Sequence, residues 1–388
     1  MTHDYDKLVR STLPQVIALQ REIHADPEIG FDTVRTAARV SAALRSAGLS
    51  VRERVGQTGV VADLEVPGAR ERVAFRADMD ALPMEEENDL PHRSRNPGAA
   101  HLCGHDAHTA MLVGAAQVLS QLRSGLRRSL RFIFQPNEEC LPGGAPAMIA
   151  DGCLDGVDRI YGMHVWPLLA TGSIGIHPGP TMAQPDTFRV TLEGVGGHAA
   201  APHRNRDPIV CGAQIVSALQ TIVARRVDPL DSAVVSVTQF HAGTADNVIP
   251  ATAELRGTIR SFRSTVGDEC RAQLRQIVAG LAQALEVTAH VEITLGYPVV
   301  VNDLDACARA TRSLHGVLPV DASLGPSLGG EDFAYYLQHV PGAFLFLGNL
   351  DPSQGIVHFC HHPRFRVDDN AMAHGLKAWL ALGAGGDA

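Results

Sequence analysis

Within the eight residues HLCGHDAH, from His101 to His108, stand three histidines, a cysteine and an aspartate. Further along, RFIFQPNEE ends in the adjacent pair Glu138 and Glu139, YGMHVWP carries His164, and VHFCHHPRF carries His358, His361 and His362. RVAFRADMD closes on Asp78 and Asp80. Thiolate and imidazole bind ions of the Zn²⁺ type, whereas carboxylates serve both as ligands and as proton carriers. Together these residues could build a two-metal hydrolytic centre. Such a centre needs divalent ions roughly 3.5–4 Å apart, a water between them and a carboxylate to take its proton. Cys103 and His105 would come from one loop, with the metal keeping the thiol ionised. Adjacent residues at a strand end point in different directions, so one of Glu138 and Glu139 can bind metal while the other faces the water. Asp78 and Asp80 read either as turn caps or as carboxylates that orient a ligand imidazole.

A second chemistry uses the same octet. Cys103 could be a nucleophile with His105 or His108 as its base. Two residues apart on a tight loop is poor geometry for that pair, and it leaves Glu138, Glu139 and His164 idle. A third reading is a metal- or ligand-binding protein without turnover. His24, His92, His177, His241, His290, His315 and His339 lack reactive company and read as surface or packing residues.

The elements that must position these groups follow from hydrophobic periodicity. Apolar spacing of three to four predicts a helix over about residues 6–25 and another after Asp32. GVVADLEV, RVAFRADM, SLRFIFQP and RIYGMHVWP read as strands, and DAHTAMLVGAAQVLSQL as a helix with Asp106 favourably near its start. This alternation predicts an α/β domain with a mostly parallel sheet, whose functional residues gather at the carboxyl ends of strands. From about Thr187 to Tyr297 the order becomes β-α-β-β-α-β, the ferredoxin-like arrangement, complete within a short stretch. That makes it an inserted domain over residues 183–297. The first domain is then discontinuous, 1–182 with 298–388, closed by the strand PGAFLFLGN and a last helix.

With 388 residues, two domains are the natural expectation. A formal charge of −9 argues against nucleic acid, which needs clustered Lys and Arg. The start lacks a signal peptide's apolar run, and no window reads as a membrane span, so a cytoplasmic protein is expected. Seven scattered cysteines fit reduced thiols, with Cys153, Cys211, Cys270 and Cys307 as packing residues, and Cys140 and Cys360 as neighbours of interesting positions.

RADMDALPMEE, HLCGHDAHT, QPNEE, GMHVWP, GGHAAAPH, DNVIPATAELRGTIRSF, GGEDFAYY and HHPRF occur in this order. In this the chain resembles the amidohydrolase branch of the aminoacylase/carboxypeptidase G metallopeptidase family, which includes hippurate hydrolases and enzymes that cleave indole-acetyl amino acids. The resemblance covers nearly the whole chain. It implies a phosphorylase/aminopeptidase-like catalytic domain interrupted by a lid that forms a homodimer contact. It implies two divalent ions, Mn, Zn, Co or Ni, held by Cys103, His105, Glu139, His164 and His361, the last of these neighboured by a second histidine, His362. It makes Glu138 the general base toward a metal-activated water. It gives His198 the oxyanion, reached across the dimer, and gives Asn247 and Arg260 the substrate's carboxylate. The implied reaction is hydrolysis of a small N-acyl amino acid, hippurate-like or N-acetyl, to carboxylate and free amino acid. Leu102 and Asn137 stand where the family more often has Ala, and neither change removes a ligand.

Overall fold

The computed structural model describes residues 4–385. The chain divides into two compact units. One runs up to Gly179 and takes in Val301–Gly325 and Asp332 onward, and the other is Pro180–Val300 with Pro326–Glu331. The breaks lie within a few residues of those expected at 182/183 and 297/298. The hexapeptide Pro326–Glu331, expected in the first domain, goes with the inserted unit. It does so through backbone bonds, Ala183 N–H to Ser327 C=O and Ser327 N–H to Thr181 C=O, both 3.0 Å or shorter.

In the larger unit an eight-stranded sheet runs in the order Ser50–Val55, Gly59–Leu64, Ser129–Gln135, Arg72–Asp78, Arg159–Ala170, Gly342–Leu350, Ile174–Gly175, Val320–Asp321. The four strands from Ser129–Gln135 to Gly342–Leu350 are parallel; antiparallel pairs continue the sheet on both sides, and Val320–Asp321 closes it in parallel with Ile174–Gly175. The Ser129–Gln135 strand is buried at every position, as a strand covered on both faces must be. Helix His105–Gln121 is apolar nearly all round, with fourteen of its residues buried, because it packs on the sheet and on the outer helices Tyr5–His24 and Asp369–Ala384.

The smaller unit has one antiparallel sheet in the order Ala233–Ala242, Thr252–Ser261, Gln184–Glu193, Thr288–Thr294. Numbered along the chain that is 2-3-1-4, the order of a ferredoxin-like sheet. Buried and exposed positions alternate along Gln184–Glu193, and the helices Pro208–Arg225 and Ser264–Ala284 supply Ile215, Leu219, Ile222, Leu274 and Val278 to the core. Pro208–Arg225 is long and apolar enough to cross a membrane, which the sequence reading did not anticipate. Its inner face is committed to this core.

Candidate metal centre

Cys103 and His105 flank Gly104, whose φ of 95° lies in the left-handed region. A Cβ there would stand 2.5 Å from Val165 Cγ2, so glycine both makes the turn and lets the loop close on the neighbouring strand. The turn leaves Cys103 in the loop and starts the helix at His105. Glu138 and Glu139 follow the Ser129–Gln135 strand, after Asn137 at φ 55°. Functional residues were expected at the carboxyl ends of strands, and His164 departs from this. It lies mid-strand instead, because Arg159–Ala170 continues past it in parallel with Gly342–Leu350. His361 also has a left-handed backbone, φ 68°, and its N–H donates to Leu102 C=O at 2.8 Å. Two non-glycine residues in this region at one site are local strain held by the surrounding structure.

The side chains converge. Cys103, His105 and His164 form one group of donor atoms within 4.8 Å of each other, and Cys103, Glu139 and His361 form a second. Cys103 belongs to both. A third group joins His105 to Glu138 and Glu139. His105 donates from Nδ1 to Asp80 C=O (2.9 Å) and His164 from Nδ1 to Val165 C=O (2.7 Å). Each ring therefore turns the lone pair of Nε2 inward, the tautomer a metal ligand needs. His164 Nε2 lies 3.3 Å from Cys103 Sγ, and His361 Nε2 lies 3.3 Å from Glu139 Oε2.

Two buried atoms decide what belongs between them. His105 Nε2 and Glu139 Oε1 face each other at 3.7 Å, and neither has a hydrogen-bond partner among the described residues. The gap is too long for a hydrogen bond, but it suits a cation bonded to both at roughly 2.0–2.2 Å. Buried unpaired polar atoms cost about 1–3 kcal/mol each, so their pairing across a gap of this width fits the metal reading.

The octet divides by partner. His108 donates from Nδ1 to Asp78 (2.7 Å) and accepts at Nε2 from Val165 N–H (3.0 Å). Both its nitrogens are taken, so it ties the Arg159–Ala170 strand to Asp78 and has no nitrogen free for a metal. In the tail, His362 accepts from Arg364 N–H and stacks on His358 at 4.0 Å, while His361 is the ring that reaches Glu139.

Around these groups lies support, of which the sequence reading anticipated Asp80, as a cap or an orienting carboxylate, and missed Arg76 and His24. Asp80 accepts from the amides of both Glu138 (2.9 Å) and Glu139 (3.1 Å). Arg76, buried within an otherwise apolar strand, donates to Asp78, Asp332 and Gln135 at 2.6–2.9 Å. An arginine in the middle of RVAFRAD, between Phe75 and Ala77, was the available signal. His24, expected as a surface or packing residue, is neither. It is 3% exposed and bridges Asp106 (2.8 Å) and Glu86 (3.2 Å). Burial works against its charge, but the two carboxylates outweigh it and raise His24 to about 10. Asp106 therefore serves as an ion-pair partner as well as a favourable charge at the helix start.

Electrostatics oppose a thiol nucleophile. Cys103 is pushed well above its usual range by its hydrogen bond to Cys360, by burial and by Glu139 and Glu138. His164, whose Nε2 lies 3.3 Å from the thiol, is held well below the ordinary imidazole range by burial and by His108. Of the two bases expected for such a thiol, His108 is lowered by burial and has both nitrogens taken. His105, raised against burial by Asp78, turns its Nε2 toward Glu139. A nucleophilic cysteine needs the reverse, a stabilised thiolate beside a basic imidazole.

Residues 74–383 match the model of Peptidase family M20/M25/M40. The chain belongs to this family. It is therefore a hydrolase of amide bonds, as its peptidase relatives are. It is 39% identical over 358 residues to an N-acetyl-L-cysteine deacetylase of Bacillus subtilis, covering 92% of this chain and 85% of that one. It is 46% identical over 296 residues to an N-acyl-L-amino acid amidohydrolase of Geobacillus stearothermophilus, covering 76% and 80%. Among solved structures it resembles the Bacillus subtilis YXEP protein, described as a dinuclear metal binding peptidase of family M20. That match has a TM-score of 0.82 at 34% identity and covers 96% of this chain and 98% of that one.

The remaining expected residues lie in the inserted unit. His198 is exposed on the short strand Gly197–His198, which pairs with Val248–Ile249, and Ala199 N–H donates to Asn247 C=O at 3.0 Å. The structure thus brings His198 and Asn247 together. Arg260 is the penultimate residue of Thr252–Ser261, donating to Thr258 Oγ1 (3.1 Å) and Leu328 C=O (3.3 Å). At about 3.3 Å per residue, eight steps place it about 26 Å along the strand from Thr252, the end nearest Asn247.

Proposed function

We propose that the chain is a two-metal amidohydrolase that cleaves N-acyl amino acids to a carboxylate and a free amino acid. The facing, unbonded pair His105 Nε2 and Glu139 Oε1, with Glu138 Oε2 4.0 Å from the same nitrogen, carries this reading. Cys103, His105, Glu139, His164 and His361 would hold the ions. When bound, divalent ions polarise a carbonyl and lower the pKa of water enough to make it a nucleophile near neutral pH. Thiolate with imidazole suits Zn²⁺, Co²⁺ or Ni²⁺, and the carboxylates admit Mn²⁺.

The chain's own residues do the rest. Asp80 holds the amides of both glutamates, so Glu138 is positioned to take the proton from water and deliver it to the leaving nitrogen. His198 donates to the developing oxyanion, a contribution on the order of 3 kcal/mol. Arg260 grips the substrate carboxylate with two parallel hydrogen bonds, and Asn247 adds its side-chain amide. Because Arg260 sits about 26 Å along its strand from the His198–Asn247 end, one small substrate can meet all three only if they come from two copies. That separation supports a homodimer in which each lid completes its partner's site. All seven cysteines are unpaired, which suits the reducing cytoplasm.

The relatives named for N-acetylcysteine and N-acyl-amino-acid hydrolysis support the substrate class. The test is amine release from N-acetyl, N-benzoyl (hippurate-like) and N-blocked peptide substrates. Chelator-stripped protein would receive Mn²⁺, Zn²⁺, Co²⁺ or Ni²⁺ one at a time. Metal-dependent release is expected from N-acyl amino acids. Metal bound in full with no release from any substrate would refute the reading in favour of a silent binding protein.

A further inference from the structure

Cys360 is the part of the tail motif that the proposed reaction leaves unused. The segments Leu102–Cys103 and Cys360–His361 lie side by side, joined by the 2.8 Å bond from His361 N–H to Leu102 C=O. Cys360 Sγ lies 4.0 Å from the carbonyl oxygen of Cys103, so the two thiols belong to adjacent residues of these paired segments. Cys103 is buried, 7% exposed, whereas Cys360 is open on one side to solvent. Cys103 is also the donor common to both metal groups. We propose that Cys103 and Cys360 are a site of oxidation by hydroperoxides, and that the disulfide they form turns the metal centre off. The consequence for metal rests on the two-metal reading above; the disulfide itself does not.

The chemistry balances with a hydroperoxide as the oxidant. The Cys360 sulfur, the exposed partner, attacks the peroxide oxygen; the O–O bond breaks, leaving a sulfenic acid on Cys360 and releasing an alcohol, or water from hydrogen peroxide. The Cys103 sulfur then attacks the Cys360 sulfur. The S–S bond forms, the S–O bond breaks, and hydroxide leaves as water with the Cys103 proton. Two thiols lose two electrons and two protons, and the peroxide gains them. A disulfide sulfur carries no thiolate charge, so both donor groups lose their shared ligand at once. Metal competes for the same sulfur, so the loaded protein should oxidise more slowly than the stripped one.

The test treats the full-length protein, both metal-loaded and chelator-stripped, with hydrogen peroxide. Free thiols are counted, unreduced peptides are mapped by mass spectrometry, and Zn²⁺ uptake is then measured. In stripped wild type a linked Cys103–Cys360 peptide should appear, with Zn²⁺ affinity weakened on the order of tenfold or more and restored by dithiothreitol. Cys360→Ala and Cys360→Ser should keep their Zn²⁺ uptake after the same dose. Oxidation without that linkage would overturn the proposal, and so would equal loss of Zn²⁺ uptake in wild type and both variants. Linkage in a protein whose reduced form never took up Zn²⁺ would refute the two-metal reading, and the switch with it, while leaving the disulfide standing.

Discussion

Replacing His24 with glutamine removes a buried cation from between two carboxylates and keeps much of the side chain's size. Asp106 and Glu86 are 1% and 2% exposed, so the variant leaves buried negative charge without its partner, at a cost of about 3–5 kcal/mol. The pH dependence separates this cost from lost packing. His24 rises from an ordinary value near 6.5 to about 10 in the folded protein. Its contribution is therefore complete below pH 6.5 and is lost as pH climbs toward 10. At about 1.36 kcal/mol per pH unit, that interval amounts to about 5 kcal/mol. Asp106 and Glu86 are both lowered, against burial, by His24, so their contribution falls away only in acid, outside this window. Both tryptophans, Trp166 and Trp379, belong to the larger unit, and their fluorescence during urea unfolding reports on that unit alone. Between pH 7 and 9, wild-type unfolding free energy should fall by about 1.4 kcal/mol per pH unit through this group. His24→Gln should lack that slope and start about 3–5 kcal/mol lower at pH 6.5. Parallel pH profiles for the two proteins would refute the reasoning, as would an NMR spectrum showing His24 neutral at pH 8.

Three further outcomes test the centre. Glu138→Ala should lower turnover by about 10²–10⁴-fold or more while metal content, read by elemental analysis, stays near wild type; lost metal would mean the two glutamates exchange roles. His361→Ala should release metal in equilibrium dialysis, whereas His362→Ala should retain it, because His362 is engaged with Arg364 and His358; the opposite result would reassign the tail ligand. Gly104→Ala should destabilise by about 1–2 kcal/mol for the left-handed backbone and about 1–3 kcal/mol more for the overlap with Val165, with weaker metal binding in the same preparation; a variant with unchanged urea midpoint and metal affinity would show the turn to be unimportant.

What was legible in the sequence was local. The side chains able to bind metal stand in short motifs, and periodicity alone put Cys103 and His105 in a loop running into a helix and the glutamates at a strand end. Hydrophobic patterning also read the strand order of the inserted unit's elements, since alternation and helical spacing are written in the residues themselves. What could not be read was partner choice. His105 and His108 are one helical turn apart and chemically identical; they differ because His108 meets Asp78, 30 positions away, and the Val165 amide, 57 away. His24 looked bland because nothing near it in the chain is acidic in the right place, yet Asp106 lies 82 positions on and against it. The hexapeptide Pro326–Glu331 carries too little pattern to show which unit it joins, and its backbone bonds decide. Buried polar groups take whichever partner the fold delivers, because leaving one unmade costs more than the bond itself contributes. Asp80 shows the consequence most fully. It ligates nothing in the proposed centre, but its backbone carbonyl sets the tautomer of His105 and its carboxylate holds both glutamate amides. The direction in which the reactive groups face is thus set by a residue whose type alone suggested only a cap or a support.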